Sequence, residues 1–194
     1  TVFGQIRTAI RSHKNIFDQD PLGIWLPECA YYENLDKILF DSGIRYAVLD
    51  GHGILNAKPR PRYGIYAPIC SSKGIAFFGR DSQSTLPVWS AREGFPGDSV
   101  YREFHKDLGW ELPLKKLKEK DIQTSRPLGL KFHRITKSTV PLGEKEFYIE
   151  KEASQRVEEH SEKYLIQRSE QLKSLNSNSS FNPILIAPFD AELF

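Results

Sequence analysis

Gly23 to Tyr31 reads GIWLPECAY, and this stretch decides how the rest of the chain is read. Gly-Ile-Trp-Leu is a short apolar run of the kind that forms a buried strand, and Pro27 closes it. Glu28 follows at once, so a carboxylate arrives directly at the C-terminal end of a strand. A second string, ILIAPFDAELF at Ile184 to Phe194, delivers Asp190 in the same way. In barrels of parallel strands the residues at the C-terminal strand ends carry the chemistry.

Outward from Gly23, Val2, Ile6, Ile10 and Phe17 keep close to helical spacing, and Asp18 to Pro21 ends that helix before the strand Gly23 to Leu26. Beyond Tyr31, Asn34 is placed to cap a second helix with Leu35, Ile38, Leu39 and Phe40 on its apolar side. Gly43 stops that helix before a strand over Arg45 to Leu49. This β-α-β alternation favours a parallel sheet and an α/β fold.

From Asp50 to Gly74 the periodicity dissolves into Gly, Pro and Arg, with Pro59, Pro61 and Pro68 interrupting any regular element. Residues 50–74 therefore read as one long loop, a lid or a substrate loop. Gly74 to Phe78 reads as a strand, followed by a polar loop ending at Pro87, Val88 and Trp89. Leu128 to Ile135 reads as a further strand. The clearest helix is Glu150 to Leu175, with Ala153, Val157, Tyr164, Leu165, Leu172 and Leu175 on a broad apolar stripe, as an outer barrel helix would have. Residues 174–182 read as a solvated linker into the last strand.

With 194 residues, 39% of them hydrophobic and 12% aromatic, the chain can build a substantial core as one domain or part of a larger one. Its 27 basic and 25 acidic residues leave a net charge of +2, too balanced to point at nucleic acid, so a small neutral substrate fits better. No apolar stretch is long enough to span a bilayer, and no membrane partner is expected. Cys29 and Cys70 lie far apart, which suggests neither a disulfide framework nor a zinc site and makes a reducing, cytoplasmic setting the default. The chain contains no methionine and begins inside a helix, which reads as a fragment.

Two carboxylates on strand ends are what glycosidic bond chemistry requires. Glu28 could equally be held in a structural ion pair. Asp190 could equally cap a helix begun by Ala191 to Leu193, and Asp190 and Glu192 share a face if the strand continues, so the residues alone leave these two open. Cys29 with a histidine base has no Cys-His hydrolase signature around it, and His13, His52, His105, His133 and His160 lack metal-ligand spacing. His52, just past a strand end, is the best placed of the five to reach a sugar hydroxyl. Arg80 and Asp81 could bind hydroxyls or pair internally. Trp89 and Trp110 stand in polar, glycine-bearing segments where a ring could serve as a sugar platform or simply pack.

These strings resemble glycoside hydrolase family 57, and within it the α-1,4-glucan branching enzymes. In that family a motif like GIWLPECAY carries the nucleophile, which falls on Glu28, and one like APFDAELF carries the general acid/base, which falls on Asp190. DGHGIL at Asp50 to Leu55, PRYGIYAPI at Pro61 to Ile69, FGRDSQS at Phe78 to Ser84, VWS at Val88 to Ser90 and EGFPGDSVYREFHKDLGW at Glu93 to Trp110 resemble branching-type members in order and spacing. The family's early histidine motif, its tryptophan-containing continuation after the acid/base and its later helical domain are not in these residues.

The resemblance implies that residues 1–194 form the central and C-terminal part of an incomplete seven-stranded (β/α) barrel with parallel strands. It also implies retaining transfer on an α-1,4-glucan, amylose or a glycogen-like polysaccharide, to form α-1,6 branches, without cofactor or metal. An α-amylase or 4-α-glucanotransferase of the same family is the nearest alternative, and a catalytically silent glucan-binding protein is the alternative from another class.

Overall fold

Helix α1 (Val2–Phe17) carries its apolar residues on one side, and Ile6 from that side enters a core shared with a parallel sheet. The computed structural model describes residues 1–177 and 181–190. The chain divides into two compact units, one of residues 1–85 and 170–194 and the other of residues 86–169.

The first unit is built on four strands: β1 (Gly23–Trp25), β2 (Tyr46–Asp50), β3 (Ile69–Cys70) and β4 (Ala76–Arg80). Their order is β1-β2-β4-β3, with β1, β2 and β4 mutually parallel and β3 antiparallel to β4. Trp25 lies beside Val48, Val48 beside Phe78, and Asp50 beside Arg80, so the parallel strands end on one edge. On the far side of β4, β3 pairs with Ala76 and Phe77, while Ile186 lies parallel beside Arg80. Leu26, Ile44, Ala47, Leu49, Ile75 and Phe77 from the strands and their approaches pack with Leu35 and Leu39 of α2 (Leu35–Asp41) and Ile54 of α3 (Gly51–Leu55). Burial of such side chains contributes about 1.5 to 3 kcal/mol each, which fixes the strand ends on which the site stands.

Several local expectations are corrected by polar groups. Asn34 does not cap α2: it sits at φ 71° with no side-chain bond to the helix, whereas Gly43, at φ 93°, does stop it. Residues 50–74 are not one loop, because Asp50 accepts the backbone N–H of His52 and starts α3, and β3 follows later in the same stretch. The polar segment after β4 is α4 (Ser82–Trp89), whose polar composition hides a helix entered at Asp81. The carbonyl of Asp81 accepts from the N–H groups of Ser84 and Thr85, and its side chain from that of Gln83.

The second unit holds α5 (Leu108–Glu111), α6 (Leu114–Lys118) and most of α7 (Glu150–Ser177), with the division between units falling inside α4 and α7. The expected strand over Leu128 to Ile135 is replaced by isolated bridges, Arg102 opposite Arg134 and His133 opposite Phe147. Asp107 draws the N–H groups of Leu128 and Gly129 to its carboxylate, and Gly129 turns to φ 72°, which a strand cannot follow. Helix α7 runs to Ser177, into the stretch expected as linker, and of its apolar stripe only Ala153 is buried, while Val157, Leu165 and Leu172 are exposed.

Charged side chains fill the interior of this unit. Lys145 is 3.2 Å from Glu103 and donates to the carbonyls of Ile135 and Lys137 at 2.7 and 2.8 Å. Lys106 donates to the carbonyl of Leu142 at 2.6 Å and lies 3.0 Å from Glu111. Burial works to raise the Glu103 carboxyl, but hydrogen bonds from the His105 N–H and the Lys145 ammonium outweigh it and hold the group below its ordinary range.

Candidate active site

Because β1, β2 and β4 run in one direction, whatever follows each strand gathers on a single edge of the sheet. Glu28 follows β1, Asp50 ends β2, Arg80 ends β4, and Asp190 comes four residues after Ile186, the partner of Arg80. Glu28 and Asp190 are both exposed and stand at opposite ends of this row. Three strand spacings of about 4.8 Å would separate their chain positions by about 14 Å if the row were flat. Glu192, the other carboxylate of the closing string, lies outside the described residues.

Glu28 sits in a tight turn, Pro27–Cys29, with the N–H of Cys29 donating to the Leu26 carbonyl at 2.8 Å and that of Ala30 to the Pro27 carbonyl at 3.0 Å. Its backbone is left-handed, φ 52° and ψ 23°, and Cys29 follows at φ 53°. Left-handed geometry costs an L-residue with a side chain on the order of 1 kcal/mol or more, and two in succession are held only where neighbours over-determine them. Leu26, buried at the strand end, anchors one side of the turn. The indole N–H of the half-buried Trp25 donates to the Cys29 Sγ at 3.2 Å from the other. Among the described residues no ion pair engages the Glu28 carboxylate, which leaves it open to a ligand.

Next to Glu28 in the row, Asp50, His52 and Arg80 form a triad. His52 Nδ1 is 2.8 Å from Asp50 Oδ1, and the Arg80 guanidinium pairs with the other oxygen of the same carboxylate. Partial burial pushes the Asp50 carboxyl up, but bonds from the His52 ring, the His52 N–H and Arg80 prevail and hold it below the usual carboxylate range. Asp50 thus holds the His52 ring through Nδ1, and the His52 side chain is 80% exposed. Asp50 itself was not singled out from the sequence. The signal for it is an acid ending a strand two residues before a histidine, which suits both an N-cap and a histidine orienter.

Asp81 departs from its expected place among substrate hydroxyls. It is 2% exposed and receives the Ser84 hydroxyl, the Gln83 N–H and the Gln171 side-chain amide at 2.9 Å, so its carboxylate is consumed inside the fold. Arg80 is paired internally, with Asp50 rather than with its neighbour. Trp89 and Trp110 belong to the second unit, 48% and 57% exposed. Trp89 ends a helix rather than a loop, and Trp110 rides on α5, whose first turn Asp107 caps through the Gly109 N–H at 2.8 Å. His13, His105, His133 and His160 pack against Phe17, Phe104, Phe147 and Phe95 respectively. Among the described residues no group of three or more His, Cys, Asp or Glu side chains is placed to hold a metal ion, and no helix is long and apolar enough to cross a membrane.

The 1,4-alpha-glucan branching enzyme of Thermococcus kodakarensis is 31% identical over 98% of this chain and 30% of its own length. A probable 1,4-alpha-glucan branching enzyme of Mycobacterium tuberculosis is 29% identical over 90% of this chain and 29% of its own length. The crystal structure of the alpha-amylase AmyC from Thermotoga maritima superposes with a TM-score of 0.89 at 37% identity, covering 100% of this chain and 38% of that one. That of a GH57-type branching enzyme from Pyrococcus horikoshii gives 0.77 at 30% identity, covering 97% and 35%. The chain thus spans about a third of the length of the relatives it matches. Residues 2–183 match the sequence model of glycosyl hydrolase family 57, and the chain belongs to that family.

Proposed function

We propose that this chain carries the central and C-terminal part of the catalytic barrel of a retaining α-glucan branching enzyme, with Glu28 as nucleophile and Asp190 as general acid/base. The observation that carries the reading is the open Glu28 carboxylate, held in a left-handed turn at the C-terminal end of a parallel strand in a family 57 chain. Glu28 attacks the anomeric carbon while Asp190 gives its proton to the departing 4-oxygen, leaving a glycosyl-enzyme ester. Asp190, now ionised, takes the proton of an incoming 6-hydroxyl, whose oxygen displaces Glu28 with net retention. His52, oriented by Asp50, accepts a sugar hydroxyl beside the nucleophile, and Trp89 and Trp110 offer apolar ring faces to the glucan. Cytoplasmic residence accords with the two unpaired cysteines.

A retaining mechanism places the two carboxyls about 5 to 5.5 Å apart, against about 6.5 to 9.5 Å for an inverting one. Closure of the parallel strands into the incomplete seven-stranded barrel is what would bring the ends of the row to the shorter distance. The full-length protein acting on amylose tests the proposal: iodine absorbance should fall with few new reducing ends. Glu28→Gln and Asp190→Asn should each lower the rate by about 10³-fold or more with the fold intact. Retained branching in either variant would assign the chemistry elsewhere. The AmyC superposition favours one second reading, α-amylase activity, which would appear instead as reducing ends released in step with the loss of iodine colour.

A further inference from the structure

We propose that Trp25 and Cys29 are positioning residues for Glu28: the indole N–H to thiol bond holds the left-handed turn that aims the carboxylate. This rests on the reading of Glu28 as nucleophile and extends it to the device that presents it. The turn contains two consecutive residues with side chains at φ 52° and 53°, a combination that unconstrained chain would abandon. Its own backbone bonds run from Cys29 to Leu26 and from Ala30 to Pro27, and they reach back no further than Leu26, whose N–H meets the Val48 carbonyl at 3.4 Å. The Trp25 bond adds a side-chain tether from within β1 itself. Trp25 belongs to β1 and is fixed by its register beside Val48, and its indole N–H grips the residue after Glu28 at 3.2 Å. Glu28 is thereby held between a proline and a tethered cysteine. Its side chain makes no ion pair among the described residues, so the Trp25–Cys29 tether substitutes for restraint on the Glu28 side chain in fixing where the carboxylate points.

Kinetics of the full-length protein test this. Trp25→Phe keeps an aromatic ring and deletes the donor, Cys29→Ala deletes the acceptor, and Cys29→Ser supplies a shorter one. Trp25→Phe and Cys29→Ala are each expected to lower kcat about ten- to a hundred-fold with KM unchanged within about two-fold. Cys29→Ser should restore part of the loss. The deciding measurement is made in a Glu28→Ala background supplied with azide. There a C–N bond forms at the anomeric carbon as the glycosidic C–O bond breaks, and Asp190 protonates the leaving oxygen to give a glycosyl azide. With no carboxylate left to aim, Cys29→Ala should cost nothing further. An equal loss in both backgrounds, a change in KM alone, or wild-type kinetics for Trp25→Phe would overturn the proposal. Failure of azide to rescue Glu28→Ala would instead strike the assignment of Glu28 as nucleophile. Should Cys29→Ala lose its circular dichroism, Trp25→Phe, which leaves the turn residues themselves unchanged, carries the test.

Discussion

Among the described residues the first unit buries ten apolar side chains around its sheet beside two carboxylates, Asp36 and Asp81, whereas the second buries only Leu117 and Ala153 and encloses Glu103, Lys106, Asp107 and Lys145. Apolar packing is non-directional and tolerates substitutions of similar volume. A charge-filled interior is directional: each ammonium or carboxylate fixes several loop backbones at once, and removing one strands its partners. One unit should therefore fail gradually and the other abruptly.

The largest effect is expected from Lys145→Met, which leaves Glu103 buried without its cation and two carbonyls without a donor. Breaking such a pair costs about 3 to 5 kcal/mol, read as a shift in the denaturation of the second unit. Glu103→Gln combined with Lys145→Met should recover much of it, and a loss below about 1 kcal/mol for the single change would show that the charges are incidental.

Leu39→Ala removes a side chain that is 0% exposed from the first unit and should cost about 2 to 5 kcal/mol, with Leu39→Met costing less than about 1.5 kcal/mol. If Leu39→Met were as damaging as Leu39→Ala, the apolar core would be as intolerant as the charged interior, and the contrast would fall.

The smallest effect is a pH dependence confined to the second unit. His160 stacks on Phe95, its Nδ1 lies 2.8 Å from the Tyr101 hydroxyl and its Nε2 3.6 Å from Asp98, which pairs with Arg156. Burial pushes the imidazole below its ordinary 6.5, Arg156 and Lys163 add to this, and Asp98 and Glu159 pull back without prevailing. The fold thus prefers the neutral ring, and the stability this represents is full above 6.5 and declines as pH falls toward the depressed folded value. Burial works to raise the Asp98 carboxyl, but the Val100 N–H, Arg156 and His160 hold it below its ordinary 3.8, so its contribution persists to lower pH and is lost only on falling through that lower value. Thermal melts of the second unit between about pH 7.5 and 5 should decline, and His160→Asn should flatten them. An unchanged slope in His160→Asn would remove His160 from this account.

What was legible in the sequence follows the same contrast. Helix α1, strands β1, β2 and β4, and the placing of Glu28 at a strand end all came from apolar period, because in the first unit period is what folding uses. Asp50 and Asp81 were harder to read. An acid after a strand looks alike whether it caps a helix, orients a histidine or awaits a substrate, and only the pairing of Asp50 with Arg80, thirty positions on, separates these. In the second unit, the strand expected over Leu128 to Ile135 failed because Asp107, far upstream, dictates its first turn. Side chains that bind backbone at such separations leave no periodic trace.

The chain leaves β4 at Arg80 and does not return to that strand's outer edge until Ile186. Synthesis at about 5 to 20 residues per second makes this an interval on the order of ten seconds. During that time a nascent β1-β2-β4 sheet has an unfinished side on which another chain could add. The short antiparallel β3, emerging just before β4, can cover Ala76 and Phe77 from the outset and leaves only the Arg80 end waiting. On the ribosome β3 should therefore guard this side of β4, and translational pausing within residues 86–169 should be tolerated by the wild type and lead to aggregation when Ile69 is replaced by proline.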